Sequence, residues 1–170
     1  EKIGHFLDDE VQRLFNWFKA ENYSNQQINT LIAEHIDVQR LLQRACRKFD
    51  GGYIMAGLMG HGDAFVMRDP SAIRPAFYYQ DDEIVVVASE RPAIQTCMNV
   101  HHTEVQELKR GHALIIKKNG KVTEELCKDQ LPRTACSFER IYFSRGTDRD
   151  IYLERKKLGE LLAPAIMKEI

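Results

Sequence analysis

The stretch from Phe65 to Thr96 constrains the fold most strongly, because short apolar runs alternate there with proline-containing breaks. Each run is too short for a helix and is rich in aromatic or β-branched residues, which predicts strands of one continuing sheet. The last run is apolar throughout and predicts a strand buried on both faces. The three runs are residues 64–67, 76–79 and 84–88.

Proline positions define the connections between these runs. Pro70 and Pro75 lack amide donors, so the segment RDPSAIRP predicts a shaped loop rather than a strand. Asp81 and the aspartate after it predict a turn. Ser89 is placed to cap a short helix that has Pro92 in its first turn.

The N-terminal part, residues 1–49, predicts three helices. Apolar side chains recur every three or four positions over residues 1–19, which is the spacing of an amphipathic helix. Ser24 and Gln27 match a capping box that starts the second helix, and Asp37 is positioned to cap the third. Because no capping residue precedes the first pattern, we expect that helix to be entered from a longer chain.

Residues 53–126 have the pattern of a sheet. The segment GHGD at 60–63 predicts a hairpin turn rather than a phosphate-binding loop, because short strands flank it and no Lys-Ser or Lys-Thr follows. Asn119 and Gly120 predict a two-residue type I′ turn between two further strands.

The C-terminal part predicts a linker, a strand and a helix. Residues 127–135 are polar and contain Pro132, as a linker would. FERIYF at 138–143 predicts a new strand, and the segment from Tyr152 to Ile170 predicts a helix. The inward stripe of this helix is expected to comprise Leu158, Leu161, Leu162, Ala165 and Ile166.

Composition restricts the partners of the chain. The 170 residues carry a formal charge of −1 and a pI of about 6.7, so no basic field would hold nucleic acid or an anionic membrane. The apolar runs are too short to span a bilayer, which predicts a soluble, cytoplasmic protein. The four cysteines form no CxxC pair and are expected to be reduced and mostly buried.

No complete catalytic set is recognisable in the sequence. Arg68, Asp69 and Arg74 have the chemistry to bind an anion or to act as acid and base. The favoured interpretation is that the first two hold their loop by local pairing, because charged groups at strand ends are usually satisfied locally. His101 and His102 are not expected to share a metal, because adjacent residues in extended chain face opposite sides.

Several segments resemble the glutamine phosphoribosylpyrophosphate amidotransferase (amidophosphoribosyltransferase) family. RDPSAIRP at 68–75 resembles that family's RDPxGIRP, and VASERPAIQT at 87–96 its VASE-plus-helix segment. CSFERIYFSRGTD at 136–148 resembles its CxFExxYFxRPDS junction. Two departures are Ala72, where the family usually has Gly, and Gly146, where it has Pro. The first raises the question of whether the loop avoids a positive φ.

The resemblance implies the α+β fold class: part of an N-terminal-nucleophile-hydrolase-like α/β/β/α sandwich with antiparallel sheets, plus the first strand and helix of a phosphoribosyltransferase-type domain. Residues 1–133 would be the C-terminal half of the glutaminase domain, with helices at 1–49 and the sheet at 53–126. Residues 134–170 would be the junction and the start of the transferase domain. The family's catalytic cysteine would lie upstream of Glu1, so the resemblance assigns no catalytic residue here and predicts an inactive fragment.

The resemblance also implies residue roles and partners. Tyr142 and Arg145, at a strand-to-loop corner, would couple the two domains or would simply pack there. Cys136 matches a position that ligates an iron–sulfur cluster in some members. The whole enzyme would use glutamine, phosphoribosyl pyrophosphate and Mg, and would be a homo-oligomer. The alternatives are another class II glutamine amidotransferase, such as an asparagine synthetase relative, and a catalytically dead regulatory or structural module.

Overall fold

Three N-terminal helices form where their caps and apolar stripes predict them. In the computed structural model, which describes residues 2–169, they are α1 (Lys2–Ala20), α2 (Asn25–His35) and α3 (Val38–Ala45). The predicted capping box at Ser24 is present, and the Asp37 side chain accepts a hydrogen bond from the amide of Arg40 at 2.9 Å. The predicted start of α1 at Glu1 lies outside the described residues.

Within residues 2–169, seven strands form two antiparallel sheets. The first has the order β1-β2-β6-β7 and the second has the order β4-β3-β5. The strands are β1 (Ile54–Leu58), β2 (Ala64–Arg68), β3 (Phe77–Gln80), β4 (Val85–Ala88), β5 (Gln106–Glu107), β6 (His112–Ile116) and β7 (Val122–Leu126).

The prediction of one continuing sheet through residues 64–88 is therefore wrong. The RDPSAIRP loop carries the chain out of the first sheet and into the second, so β2 and β3 are not hydrogen-bonded neighbours. The hairpin at residues 60–63 is confirmed, because β1 pairs with β2 in antiparallel register.

Alternation along β2 places the first sheet between the helices and the second sheet. Phe65 and Met67 belong to the core that contains the helical residues Leu14 and Leu42. Val66, on the opposite face of the strand, belongs to the core that contains Tyr78 of β3. The layers are thus helices, sheet and sheet, and the antiparallel α+β class is confirmed. The four-layer nucleophile-hydrolase sandwich stays a prediction.

Three local predictions about strands and turns are wrong. β4 is only half-buried, because it lies at an edge of the second sheet. Helix α4 (Arg91–Met98) has Glu90 rather than Ser89 at its N-cap, and no side chain caps it. Asn119 does not have a positive φ, whereas Gly120 has φ 85°, so the turn is a three-residue loop with a left-handed glycine instead of type I′.

The C-terminal segment differs most from its prediction. Residues Glu139–Phe143 form a π-helical turn, not a strand, and the amide of Ser144 donates to the carbonyl of Glu139. Helix α5 (Arg149–Glu169) follows, and its leucine stripe is exposed rather than inward, since nothing else among residues 2–169 covers it. The predicted end of this helix, Ile170, is not among the described residues. No helix of the described chain is both long and apolar enough to cross a membrane.

Candidate functional site: an ion-paired cleft

The loop of residues 68–75, here called the proline loop, is built around the Asp69 carboxylate. This side chain is fully buried. Its Oδ1 accepts hydrogen bonds from the amides of Ser71 at 3.0 Å and Ile73 at 2.9 Å, and its Oδ2 accepts one from the amide of Arg74 at 3.0 Å. The prolines prevent this loop from pairing with a strand, so the carboxylate accepts the amide hydrogen bonds that a neighbouring strand would otherwise accept.

Arg68 connects the proline loop to the second sheet. Its guanidinium is buried and donates to the carbonyl oxygens of Arg74 at 2.8 Å and Leu108 at 2.5 Å. It also forms an ion pair with Glu107 of β5 at 2.9 Å. Two of these three partners are main-chain carbonyl oxygens, so this arginine is part of the framework.

Ala72 is the proline-loop residue that stands where the resembled family usually has glycine. It is buried and has φ 52°, so the loop keeps the left-handed conformation in spite of its Cβ. A non-glycine residue in this region costs about 1–2 kcal/mol. The contacts of Asp69 compensate for that cost by holding the residues on either side.

A cleft of about 550 Å³ lies between the proline loop, the start of α4 and the C-terminal segment. Of the residues that the structure describes, six arginines and six carboxylates line it. They are Arg68, Arg74, Arg91, Arg133, Arg140 and Arg145, with Glu90, Glu107, Glu139, Asp148, Asp150 and Glu154. We call it the ion-paired cleft.

Each of these arginines has a carboxylate partner. The pairs that join the proline loop and the start of α4 to the C-terminal segment are Arg74 with Glu139, Arg145 with Glu90 at 2.5 Å, and Arg91 with Asp150 at 2.9 Å and Asp148 at 3.3 Å. Arg133 of the linker pairs with Glu107 of β5 at 3.7 Å. Within the C-terminal segment, Arg140 pairs with Glu154.

The pairing alters the titration of the cleft. A hydrogen bond from Arg91 is the main cause that holds the pKa of Asp150 below its ordinary value. A hydrogen bond to Glu154 raises the pKa of the Arg140 guanidinium. Because the positive charges are already matched, the cleft is better suited to joining two parts of a protein than to binding a phosphate.

The residues singled out from the sequence occupy different positions around this cleft. Arg68, Arg74, Cys136 and Arg145 all line it. Tyr142 does not; its side chain is 78% exposed, and its ring contacts that of the neighbouring Phe143. The acidic partners were missed by sequence reasoning. The sequence feature that could have indicated these partners is a glutamate beside an arginine in each of two charged segments, SERP at 89–92 and FER at 138–140.

The histidine pair also differs from its prediction. The rings of His101 and His102 do not face opposite sides, since Nδ1 of His102 lies 3.1 Å from Nε2 of His101. Both residues lie in a turn after α4 instead of extended chain, which brings the rings together. Nε2 of His102 is 3.0 Å from Nη1 of Arg149. Desolvation, His101 and Arg149 together lower the pKa of His102.

The thiols are all free, and two of them are strongly shielded. Cys46 and Cys127 are buried, whereas Cys97 is exposed and Cys136 is half-buried. Burial raises the pKa of Cys46 and raises that of Cys127 to about 12. Neither buried thiol is a thiolate at neutral pH, so neither has the environment of a nucleophile.

Comparisons with known proteins identify what this arrangement resembles. Six curated proteins match, and all are named amidophosphoribosyltransferase. The chain is 31% identical to the Pseudomonas aeruginosa protein in an alignment 128 positions long, which covers 70% of the chain and 25% of that relative. It is 29% identical to the Saccharomyces cerevisiae protein in an alignment 191 positions long, which covers 99% of the chain and 36% of that relative. No family model matches the chain.

Solved structures share the fold. One is the glutamine phosphoribosylpyrophosphate amidotransferase of B. subtilis complexed with ADP and GMP, with a TM-score of 0.54 and 23% identity. Another, described as the allosteric regulatory enzyme of purine biosynthesis, has a TM-score of 0.53 and 22% identity. Each comparison covers 79% of this chain and 30% of the solved one. The chain therefore spans about a quarter to a third of the length of its relatives.

Proposed function

The chain belongs to the amidophosphoribosyltransferase family, and we propose that it is the part of such an enzyme that joins the glutaminase scaffold to the phosphoribosyltransferase domain. The whole protein would transfer ammonia from glutamine to phosphoribosyl pyrophosphate and form phosphoribosylamine. The observation that carries this proposal is that all six relatives are named amidophosphoribosyltransferase. This observation does not favour an asparagine-synthetase-like enzyme or a catalytically dead module.

The proposed domain division places residues 1–133 with the glutaminase part and residues 134–170 with the transferase part. The ion-paired cleft supports this division, because its pairs cross from the first group of residues to the second. Arg145 would couple the domains through Glu90. Tyr142, which is exposed, would contact a part of the enzyme beyond these residues. Arg68, Asp69 and Arg74 would act as loop scaffold.

The proposal includes a cytoplasmic, homo-oligomeric enzyme that uses Mg and, in some members, an iron–sulfur cluster. The described residues do not fit either group by themselves. No set of three or more potential ligands converges among residues 2–169. An iron–sulfur cluster needs four thiolates, and Cys136 is the one cysteine among residues 2–169 that lines the ion-paired cleft.

The stoichiometry of the whole protein tests the proposed activity. Incubation of the protein that contains this chain with glutamine and phosphoribosyl pyrophosphate should release glutamate and pyrophosphate in equal amounts. An asparagine-synthetase-like enzyme would instead require aspartate and ATP. Turnover with aspartate and ATP, and none with phosphoribosyl pyrophosphate, would contradict the proposal.

The 170 residues alone are expected to hydrolyse no glutamine. The proposed glutaminase needs a thiolate nucleophile with a base beside it, and burial keeps Cys46 and Cys127 protonated. Glutamate release should equal the rate without protein, and circular dichroism should first establish that the sample is folded. Glutamate release that disappears on alkylation of the thiols would show that the nucleophile lies within this chain.

Reversing the charge of Arg145 is expected to uncouple the two activities of the whole enzyme. In Arg145→Glu, repulsion from Glu90 should lower the glutamine-dependent rate by about tenfold, while the rate with free ammonia changes by less than about twofold. The charge swap Glu90→Arg with Arg145→Glu should restore most of the glutamine-dependent rate. Equal losses with glutamine and ammonia, without rescue by the swap, would mean that the pair only stabilises the fold.

A further inference from the structure

The two histidines in the turn after α4 form a continuous series of hydrogen bonds that reaches the start of α5. Nη1 of Arg149 lies 3.0 Å from Nε2 of His102, and Nδ1 of His102 lies 3.1 Å from Nε2 of His101. Nδ1 of His101 lies 2.9 Å from Oγ1 of Thr103. We call these four side chains the histidine relay. It connects two segments that are 47 positions apart in the sequence.

The arginine fixes the position of every proton in the histidine relay. A guanidinium has donors only, so Nε2 of His102 accepts the hydrogen bond from Arg149 and carries no proton. The proton of His102 therefore lies on Nδ1, from which it is donated to Nε2 of His101. By the same rule, His101 donates from its own Nδ1 to the hydroxyl of Thr103. Both imidazoles are neutral in this arrangement, and a further proton on either ring breaks it.

The groups that surround His102 oppose its protonation. Loss of hydration is the largest cause that lowers the pKa of His102 from its ordinary value of 6.5, and the other imidazole, Arg149 and Arg91 lower it further. Asp150 acts in the opposite direction, but it is paired with Arg91 at 2.9 Å. That pairing is the main cause that lowers the pKa of Asp150, so this carboxylate stays ionised in mild acid. Glu104 accepts a hydrogen bond at 2.7 Å from the main-chain amide of the other histidine.

From this geometry we infer that the histidine relay is an acid-sensitive contact, which holds the start of α5 on the turn after α4 only while His102 is neutral. A proton on Nε2 of His102 removes the acceptor of Arg149 and places two cations in contact. The Arg149 side chain then leaves the imidazole. The first turn of α5 thereby loses its attachment to the turn after α4.

The direction of the pH dependence follows from the lowered pKa of His102. The neutral imidazole favours the contact, so the contact is complete above the ordinary pKa and is lost as pH falls through the lower value of the folded chain. The Arg91–Asp150 pair keeps both charges in mild acid, so the C-terminal segment stays attached at the ion-paired cleft while the start of α5 is released. This contact does not depend on the proposed function, because it is measured within the chain without any turnover.

Nuclear magnetic resonance of the full chain, isotope-labelled in its histidine ring nitrogens, tests the proton positions. At about pH 8, His102 should show the Nδ1–H form, although an imidazole side chain in water favours the Nε2–H form. In Arg149→Met, the titration midpoint of His102 should rise, because a facing cation is gone. The matched control, Lys156→Met, removes an exposed cation further along α5 and should leave both the midpoint and the ring form unchanged. An Nε2–H form of His102 in the wild type, or an unchanged midpoint in Arg149→Met, overturns the inference.

Hydrogen exchange at the start of α5 tests the release itself. The amide of Tyr152 donates to the carbonyl of Asp148 at 2.8 Å in the first turn, and its protection factor is corrected for the intrinsic pH dependence of exchange. In the wild type this factor should fall by at least about twofold between about pH 8 and about pH 5.5. In His102→Gln, the side-chain amide oxygen accepts from Arg149 at either pH, so the factor should not change. An equal fall in both proteins, or no fall in the wild type, contradicts the inference.

Discussion

Replacing Asp69 with alanine is expected to lower the free energy of unfolding by about 3–5 kcal/mol. The reason is that three amides of the proline loop would lose the buried carboxylate that accepts their hydrogen bonds. Ala72 would also lose the contacts that hold its left-handed conformation. Urea unfolding followed by circular dichroism measures the change.

Two further variants make the Asp69 experiment specific. Asp69→Asn keeps the shape and one acceptor oxygen, so its effect should be smaller than that of alanine. Asp81 is the matched control, because its Oδ1 also accepts two loop amides, those of Glu83 and Ile84, but in an exposed turn. Asp81→Ala should lower the free energy of unfolding by much less than Asp69→Ala does. Equal effects at the two aspartates would mean that burial of the proline loop contributes nothing.

The features that the sequence predicted well are those governed by neighbouring residues. The capping box at Ser24 and the cap at Asp37 involve residues three positions apart, and their geometry follows from helix termini in general. The two long hairpins were predicted because glycine and strand periodicity mark them locally. Even there, the turn type was wrong, since only Gly120 takes a positive φ.

The features that the sequence did not predict depend on distant parts of the chain. Arg74 and Glu139 are 65 positions apart, and no periodicity relates them. The division of the strands into two sheets likewise depends on β6 pairing with β2, which leaves no room for β3 beside it. FERIYF has the composition of a strand, yet it pairs with neither sheet and forms a π-helical turn instead.

Replacing Lys117 with methionine is the second large effect that we expect. The carboxylate of Asp63 is almost completely buried, and Lys117 donates to it, with His61 at 3.0 Å and the amide of Lys118 at 2.8 Å. Burial alone would raise the pKa of Asp63, but these donors outweigh it and lower the pKa. Without the ammonium, the carboxylate is a buried charge with too few partners, which should cost about 2–4 kcal/mol at pH 7.

The pH dependence identifies the charge as the cause. Because the folded pKa of Asp63 is lowered, its contribution to stability is present above the unfolded pKa and is lost as pH falls through the folded value. The deficit of Lys117→Met relative to the wild type should therefore be full at pH 7 and shrink in acid, where both proteins have a protonated Asp63.

Lys118→Met, whose side chain makes no ion pair with Asp63, is the matched control and should change stability by less than about 0.5 kcal/mol. Adding Asp63→Asn to Lys117→Met should recover part of the loss at pH 7, because it removes the unpaired charge. A deficit that stays the same from pH 7 into acid, with no recovery in the double variant, would assign the effect of Lys117 to packing of its aliphatic chain.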